Sequence, residues 1–167
     1  NPMYTARELR HQLVDSGARA ILVLDNFGHV VEKVLADSKV EKVITTGLGD
    51  MLGFPKGAIV NFVVRHVKKM VPDYAIAGDI RFRDALKAGA GHALPPVAIE
   101  PGDIAFLQYT GGTTGVAKGA MLTHRNLVAN MQQASAWVSK QTKPGQEVIV
   151  TALPLYHIFA LTANGLV

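Results

Sequence analysis

Cysteine is absent from the 167 residues. That excludes a disulfide framework, thiolate zinc sites and a cysteine nucleophile, and it suits a reducing compartment. No run of about 20 apolar residues occurs, so no segment reads as a membrane span. The opening NPMYTARELRHQ has no apolar signal core. Neither sign of charge is in large excess: Lys+Arg number 17 and Asp+Glu 13, a formal net charge of +4. So small a surplus favours an anionic ligand or an anionic membrane surface. It is too dispersed to argue for nucleic acid, which is not expected as a partner.

Apolar residues are not scarce. They make up 49% against 18% charged, which argues against disorder, and the length suffices for one domain with a core. The chain starts at Asn1 without an initiator methionine. It stops at Val167 inside ALPLYHIFALTANGLV, an apolar pattern still building. The expectation is a piece of a longer protein.

Residues 4–17 read as a helix, with Thr5 as cap, Glu8 as its capping-box partner, a stripe of Leu9, Leu13 and Val14, and Gly17 as terminator. AILVL (20–24) and KVITT (42–46) read as buried parallel strands around a helix that Asp25 or Asn26 can cap. Segment 58–71 reads as a helix with Ile59, Val60, Val63, Val64, Val67, Met70 and Val71 toward the core and Arg65, His66, Lys68 and Lys69 outward. An ordinary surface helix is the preferred reading, with a lipid-facing helix as the alternative. FRDALKAG (82–89) is a short helix. The proline-bearing stretch near 90–102 marks a sub-boundary. IAFLQYT (104–110), AMLTH (120–124) and EVIVTALP (147–154) read as strands, and 125–141 as a long helix capped by Thr123. Trp137, Phe159 and Leu161 are expected in the core. The class is α/β, a mostly parallel sheet with flanking helices.

The stretch YTGGTTGVAKG, from Tyr109 to Gly119, concentrates glycine, threonine and one lysine. Glycine lets backbone N–H groups converge on an anion, threonine adds hydroxyls, and a terminal lysine adds a point charge. A polyphosphate clamp follows. The P-loop pattern fails because Ala117, not glycine, precedes Lys118. The dinucleotide pattern fails because Thr113 and Thr114 stand where its second glycine is needed. Strand, glycine loop and strand make a hairpin, unlike the strand-to-helix turn of either template. A ligand-free hairpin turn is the simpler alternative, but it needs only two or three special residues.

This stretch resembles the AMP-binding signature of the acyl-adenylate-forming enzymes, which include acyl-CoA synthetases, firefly luciferase and peptide-synthetase adenylation domains. The match lies at Thr110, Gly111, Gly112, Thr113, Thr114, Gly115 and Lys118, with Ala117 where many members have proline. ALPLYHIFAL (152–161) resembles the family's next motif. NPMYTARELRHQLVDSGA resembles the upstream segment of bacterial long-chain fatty-acid–CoA ligases.

The resemblance implies that residues 1–167 are part of a large N-terminal AMP-binding domain, with the C-terminal domain absent. It implies ATP and Mg²⁺, with a fatty acid and CoA as further substrates. Residues 109–120 (Tyr109, Thr110, Gly111, Gly112, Thr113, Thr114, Gly115, Val116, Ala117, Lys118, Gly119 and Ala120) would hold the β- and γ-phosphates. Thr110 would help hold the metal, and His157 would orient attack on the α-phosphate. The adenine, ribose and catalytic-lysine motifs have no counterpart here, so this piece alone is expected to be inactive. Two alternatives remain: a free-standing phosphate-binding module without catalysis, or an adenylating ligase for an aryl or medium-chain acid. The further expectations are a cytoplasmic protein, peripheral contact with the inner face of a bacterial membrane, and homodimers, which for this piece need not be native. His11, His29, His66, His92 and His124 show no paired metal spacing and read as structural or solvated.

Overall fold

Thr5 begins the first helix as its sequence dictates. Its Oγ1 accepts from the Glu8 N–H at 3.4 Å, and the Glu8 carboxylate accepts from the Thr5 N–H at 2.8 Å. This reciprocal box opens α1 (Ala6–Ser16), and Gly17 closes it with φ of +63°, a conformation that favours glycine. Leu13 is buried but Val14 is exposed, so the inward stripe is narrower than the spacing predicts. The computed structural model describes residues 1–110, 116–143 and 145–166. They fall into two compact units, Asn1–Pro95 and Pro96–Val167.

In the first unit β1 (Ala20–Leu24) and β2 (Lys42–Thr46) pair in parallel, from Ala20 opposite Lys42 to Leu24 opposite Thr46. A third strand, β3 (Ile80–Arg81), lies parallel on the other side of β2. At two residues it is too short for any periodicity to reveal. Between β1 and β2 runs a short helix, α2 (Gly28–Glu32). The core gathers Val31, Val43 and Ile76, with Leu9, Ile21 and Leu35 packed around them. Burying each such side chain contributes about 1.5–3 kcal/mol.

Neither Asp25 nor Asn26 caps a helix. Asp25–Phe27 forms a 3₁₀ turn, and α2 follows without a side-chain cap. The Asp25 carboxylate is engaged elsewhere. Its Oδ1 accepts from Arg81 at 2.7 Å and from the Tyr74 hydroxyl at 2.9 Å. Its Oδ2 accepts from Arg81 at 3.1 Å and Arg65 at 3.3 Å. Burial alone would push this carboxyl up, but the bonds from Arg81 and Tyr74 and the charges of Arg81 and Arg65 hold it below its ordinary 3.8. Gly28 makes room for the tyrosine, since a Cβ there would lie 2.5 Å from a Tyr74 ring carbon.

The helix expected over 58–71 starts earlier and ends sooner, and its inner side is narrower than expected: Val60, Val63, Val64 and Val71 are half-buried and Arg65, His66, Lys68 and Lys69 exposed, but Ile59, Val67 and Met70 are exposed as well. It is α3 (Lys56–Phe62), continued by a π turn over Val63–Val67. Small and polar residues hold its inner side along with the half-buried valines. Gly57 packs on the Gly49 backbone, Asn61 accepts from the Gly49 N–H at 2.7 Å and donates to Asp50 at 2.8 Å, and Arg65 reaches Asp25. Ile59, Phe62, Val67 and Met70 face outward. The reason is a local demand. The loop after β2 brings in N–H groups and a carboxylate that need partners, and the Asn61 edge of the helix supplies them. The last helix of this unit, α4 (Phe82–Gly89), follows β3 directly.

In the second unit β4 (Ile104–Thr110) and β5 (Lys118–Thr123) form an antiparallel hairpin. Thr123 caps α5 (His124–Val138), with Asn126 closing a second capping box. The chain ends in α6 (Ile158–Ala160) and a π turn over Leu161–Leu166. The strand expected at 147–154 does not form. A strand exists through a neighbour's ladder, no described strand lies beside it, and Val148 is 92% exposed. Trp137, at 85% exposed, and Phe159 are likewise outside the core, whereas Leu161 is half-buried.

Asp25 and Asp50 both ionise below 3.8 in the fold, so the unfolded chain holds protons more tightly. Their stabilisation is present above 3.8 and is lost as pH falls through the lowered folded values. Asp25→Asn should cost about 2 kcal/mol at neutral pH, discounted because both arginines are part-exposed. It should also flatten the dependence of the urea midpoint on pH. An unchanged acid slope in the variant would show that Asp25 does not carry the linkage.

Candidate phosphate-binding hairpin

The hairpin register sets the site. Thr110 lies opposite Lys118, Tyr109 opposite Gly119, and Gln108 opposite Ala120. Side chains alternate along a strand, so Gln108, Thr110, Lys118 and Ala120 share one face, while Tyr109 and Gly119 share the other. On that second face Tyr109 lies over its glycine partner: a Cβ on Gly119 would sit 3.1 Å from two ring atoms. An aromatic ring covering a cross-strand glycine stabilises a strand end that has no side chain of its own.

The first face carries the exposed polar groups. Thr110 and Lys118 are both exposed where the paired strands end. Lys118 has no carboxylate partner among the described residues, so its ammonium is available to an anion. It belongs to β5 itself, so the ladder fixes its backbone opposite Thr110. Val116 is exposed and Ala117 half-buried. Gly111, Gly112, Thr113, Thr114 and Gly115, the centre of the expected clamp, lie outside the described residues.

Gln108 was not singled out by sequence reasoning, yet it joins the two motifs. Its Nε2 donates to the Tyr156 carbonyl at 3.1 Å. His157, the next residue, is exposed and caps α6, its Nδ1 accepting from the Phe159 N–H at 3.3 Å. The LPLYH segment is therefore tied to the Thr110 and Lys118 face of the hairpin. The available signal was a lone glutamine inside the apolar strand IAFLQYT.

A second polar cluster lies in the first unit, past the ends of β1 and β2. There a cavity of about 210 Å³ is lined by Asp25, Asn26, Asn61, Arg65 and Arg81, among others. Its charges answer one another: Arg81 is bound to Asp25 and lies 3.6 Å from Asp50. That cluster closes the sheet and offers less spare charge than Lys118. No group of three or more His, Asp or Glu fit to hold a metal occurs among the described residues.

The AMP-binding enzyme family model matches residues 1–167, and the chain belongs to that family. It is 55% identical over 166 residues to a long-chain-fatty-acid–CoA ligase of Escherichia coli O6:H1. It is 56% identical over 168 residues to the enzyme of the same name from Salmonella typhimurium. Each alignment covers 99% of this chain and 30% of the relative, so the chain spans about a third of their length. A red-emitting luciferase from Phrixothrix hirtus shares the fold, with a TM-score of 0.58 at 20% identity over 97% of this chain and 28% of that one.

Gly119→Val should collide with the Tyr109 ring and destabilise the hairpin by about 1–3 kcal/mol. Urea unfolding checks this, and an unaltered midpoint would mean the ring is not seated on that glycine.

Proposed function

We propose that the protein to which this chain belongs is an ATP-dependent acid–thiol ligase that activates long-chain fatty acids. Identity above one half to long-chain ligases, along nearly the whole chain, carries this reading. In the first step a fatty-acid carboxylate oxygen bonds to the α-phosphorus of ATP, and pyrophosphate leaves with the cleaved P–O electron pair. In the second, the CoA thiolate attacks the acyl carbon and AMP departs.

Both reactants of the first step are anions, so charge must be neutralised and the groups aligned. The exposed, acid-free Lys118 and the Thr110 hydroxyl opposite it fit a phosphate at the mouth of the hairpin. Lys118 draws charge off the β- and γ-phosphates as they become the leaving group. His157 orients the carboxylate toward the α-phosphate, and the Gln108 bond to Tyr156 holds its segment to the hairpin. Mg²⁺ would neutralise phosphate charge, with the Thr110 hydroxyl as its contact in this chain. The same reading includes a cytoplasmic location with peripheral contact at the inner face of the membrane. Homodimers of this chain, which need not be native, belong to the same reading, with the exposed Val148, Ile149 and Val150 as the apolar stretch that would meet.

The full-length protein should exchange labelled pyrophosphate into ATP only when a long-chain fatty acid is present. Lys118→Ala should lower kcat roughly 100-fold, as loss of one group stabilising developing charge does. Gln108→Met should lower kcat about 10-fold in the wild-type background and hardly at all in His157→Ala, since residues acting as one unit are non-additive. Equal exchange with an aryl acid would defeat the long-chain assignment. Full activity in Lys118→Ala would defeat the assigned role of the hairpin.

A further inference from the structure

We propose that His157 works as a neutral imidazole whose proton sits on Nε2, and that the main-chain N–H of Phe159 sets this state. The inference rests on the reaction proposed above and says which form of the histidine serves it. One hydrogen bond carries it. The Phe159 N–H donates to Nδ1 of His157 at 3.3 Å, so that nitrogen presents its lone pair and holds no proton. In a neutral ring the proton is then on Nε2. An imidazolium has an N–H on both nitrogens and would set Nδ1–H against the Phe159 N–H.

The backbone holds the ring in this arrangement. The His157 N–H donates to the Pro154 carbonyl at 2.9 Å, and the His157 carbonyl accepts from the Leu161 N–H at 3.0 Å. The Tyr156 carbonyl just before it accepts from Gln108 at 3.1 Å. His157 itself is extended, with φ of −81° and ψ of 128°, the backbone of a residue that caps a helix start. The bond to Phe159 spans two residues, so it is a local geometry. The histidine is exposed, and Nε2 has no partner among the described residues.

The state of the ring decides its chemistry. A bare Nε2 takes a proton as a general base, and an imidazolium neutralises charge. Nε2–H does neither; it donates one hydrogen bond to an oxygen. The group it meets must be an acceptor, so the fatty acid arrives already ionised. One carboxylate oxygen accepts from Nε2–H while the other bonds to the α-phosphorus. No proton passes through His157 in this step, and pyrophosphate leaves as an anion. A donor fixed beforehand needs no reorganisation when the carboxylate arrives.

The test uses the full-length protein and two amides that separate the ring nitrogens. An Asn side chain places its amide near the position of Nδ1, and a Gln side chain reaches the position of Nε2. His157→Asn should keep the cap, and with it the unfolding temperature, yet lower kcat for fatty-acid-dependent pyrophosphate exchange about 100-fold, as His157→Ala does. His157→Gln should weaken the cap but keep a donor in place, lowering kcat only about 10-fold. Nitrogen NMR of wild type carrying labelled histidine, with the His157 signal identified by its loss in His157→Gln, should show the proton on Nε2 and none on Nδ1. A proton on Nδ1 overturns the proposal. So does His157→Asn at least as active as His157→Gln. So does His157→Gln as poor as His157→Ala, since an amide cannot replace a ring that acts as base or cation. Absence of fatty-acid-dependent exchange in the wild type would defeat the proposed reaction and the donor's role in it, while the NMR spectrum alone decides the tautomer.

Discussion

The Arg81 guanidinium is the fixed point of the first unit. One nitrogen donates to Asp25 just past β1 and to Thr45 in β2, while Arg81 itself lies in β3. Thr45, fully buried, donates in turn to Asp79 beside that strand. A two-residue strand has little ladder of its own, so this side chain supplies what the backbone does not. Burying Asp25 unpaired would cost several kcal/mol, and the arginine contacts offset it. The neighbours follow from this centre. Tyr74 must reach Asp25, so Gly28 carries no side chain. Arg65 reaches it too, from the π turn that continues α3.

The hairpin works by a different constraint. Backbone pairing, not side-chain packing, sets where Thr110 and Lys118 stand, and Gln108 extends that control to the segment bearing His157. The chemistry asked of these groups is electrostatic, so their value lies in being positioned before a polyanion arrives. A free ammonium on a strand end and a hydroxyl across the ladder meet that need.

Much of this was legible from residues alone. Caps are local, and both Thr5 with Glu8 and Thr123 with Asn126 behave as short-range rules require. β1, β2 and β4 are apolar runs of the right length, and the glycine–threonine loop between two strands showed itself by composition. What stayed hidden depends on contacts distant in sequence. Asp25 has the composition of a helix cap, and only Arg65 and Arg81, far along the chain, claim it instead. The apolar spacing of 58–71 is helical either way round. How wide its covered side is depends on Gly49 and Asp50, outside the segment, which engage Asn61. The 147–154 stretch has strand composition, but composition cannot supply a neighbour. Gln108 was one polar letter in an apolar word.

The register of the hairpin has a consequence for how such a loop can change. Thr110 and Lys118 are tethered by the ladder below them, which runs back to Ile104 opposite Thr123. The cation's address is therefore written in strand register: a substitution on the ladder that keeps the pairing leaves the ammonium where it was, and a slip of one residue would turn it to the opposite face.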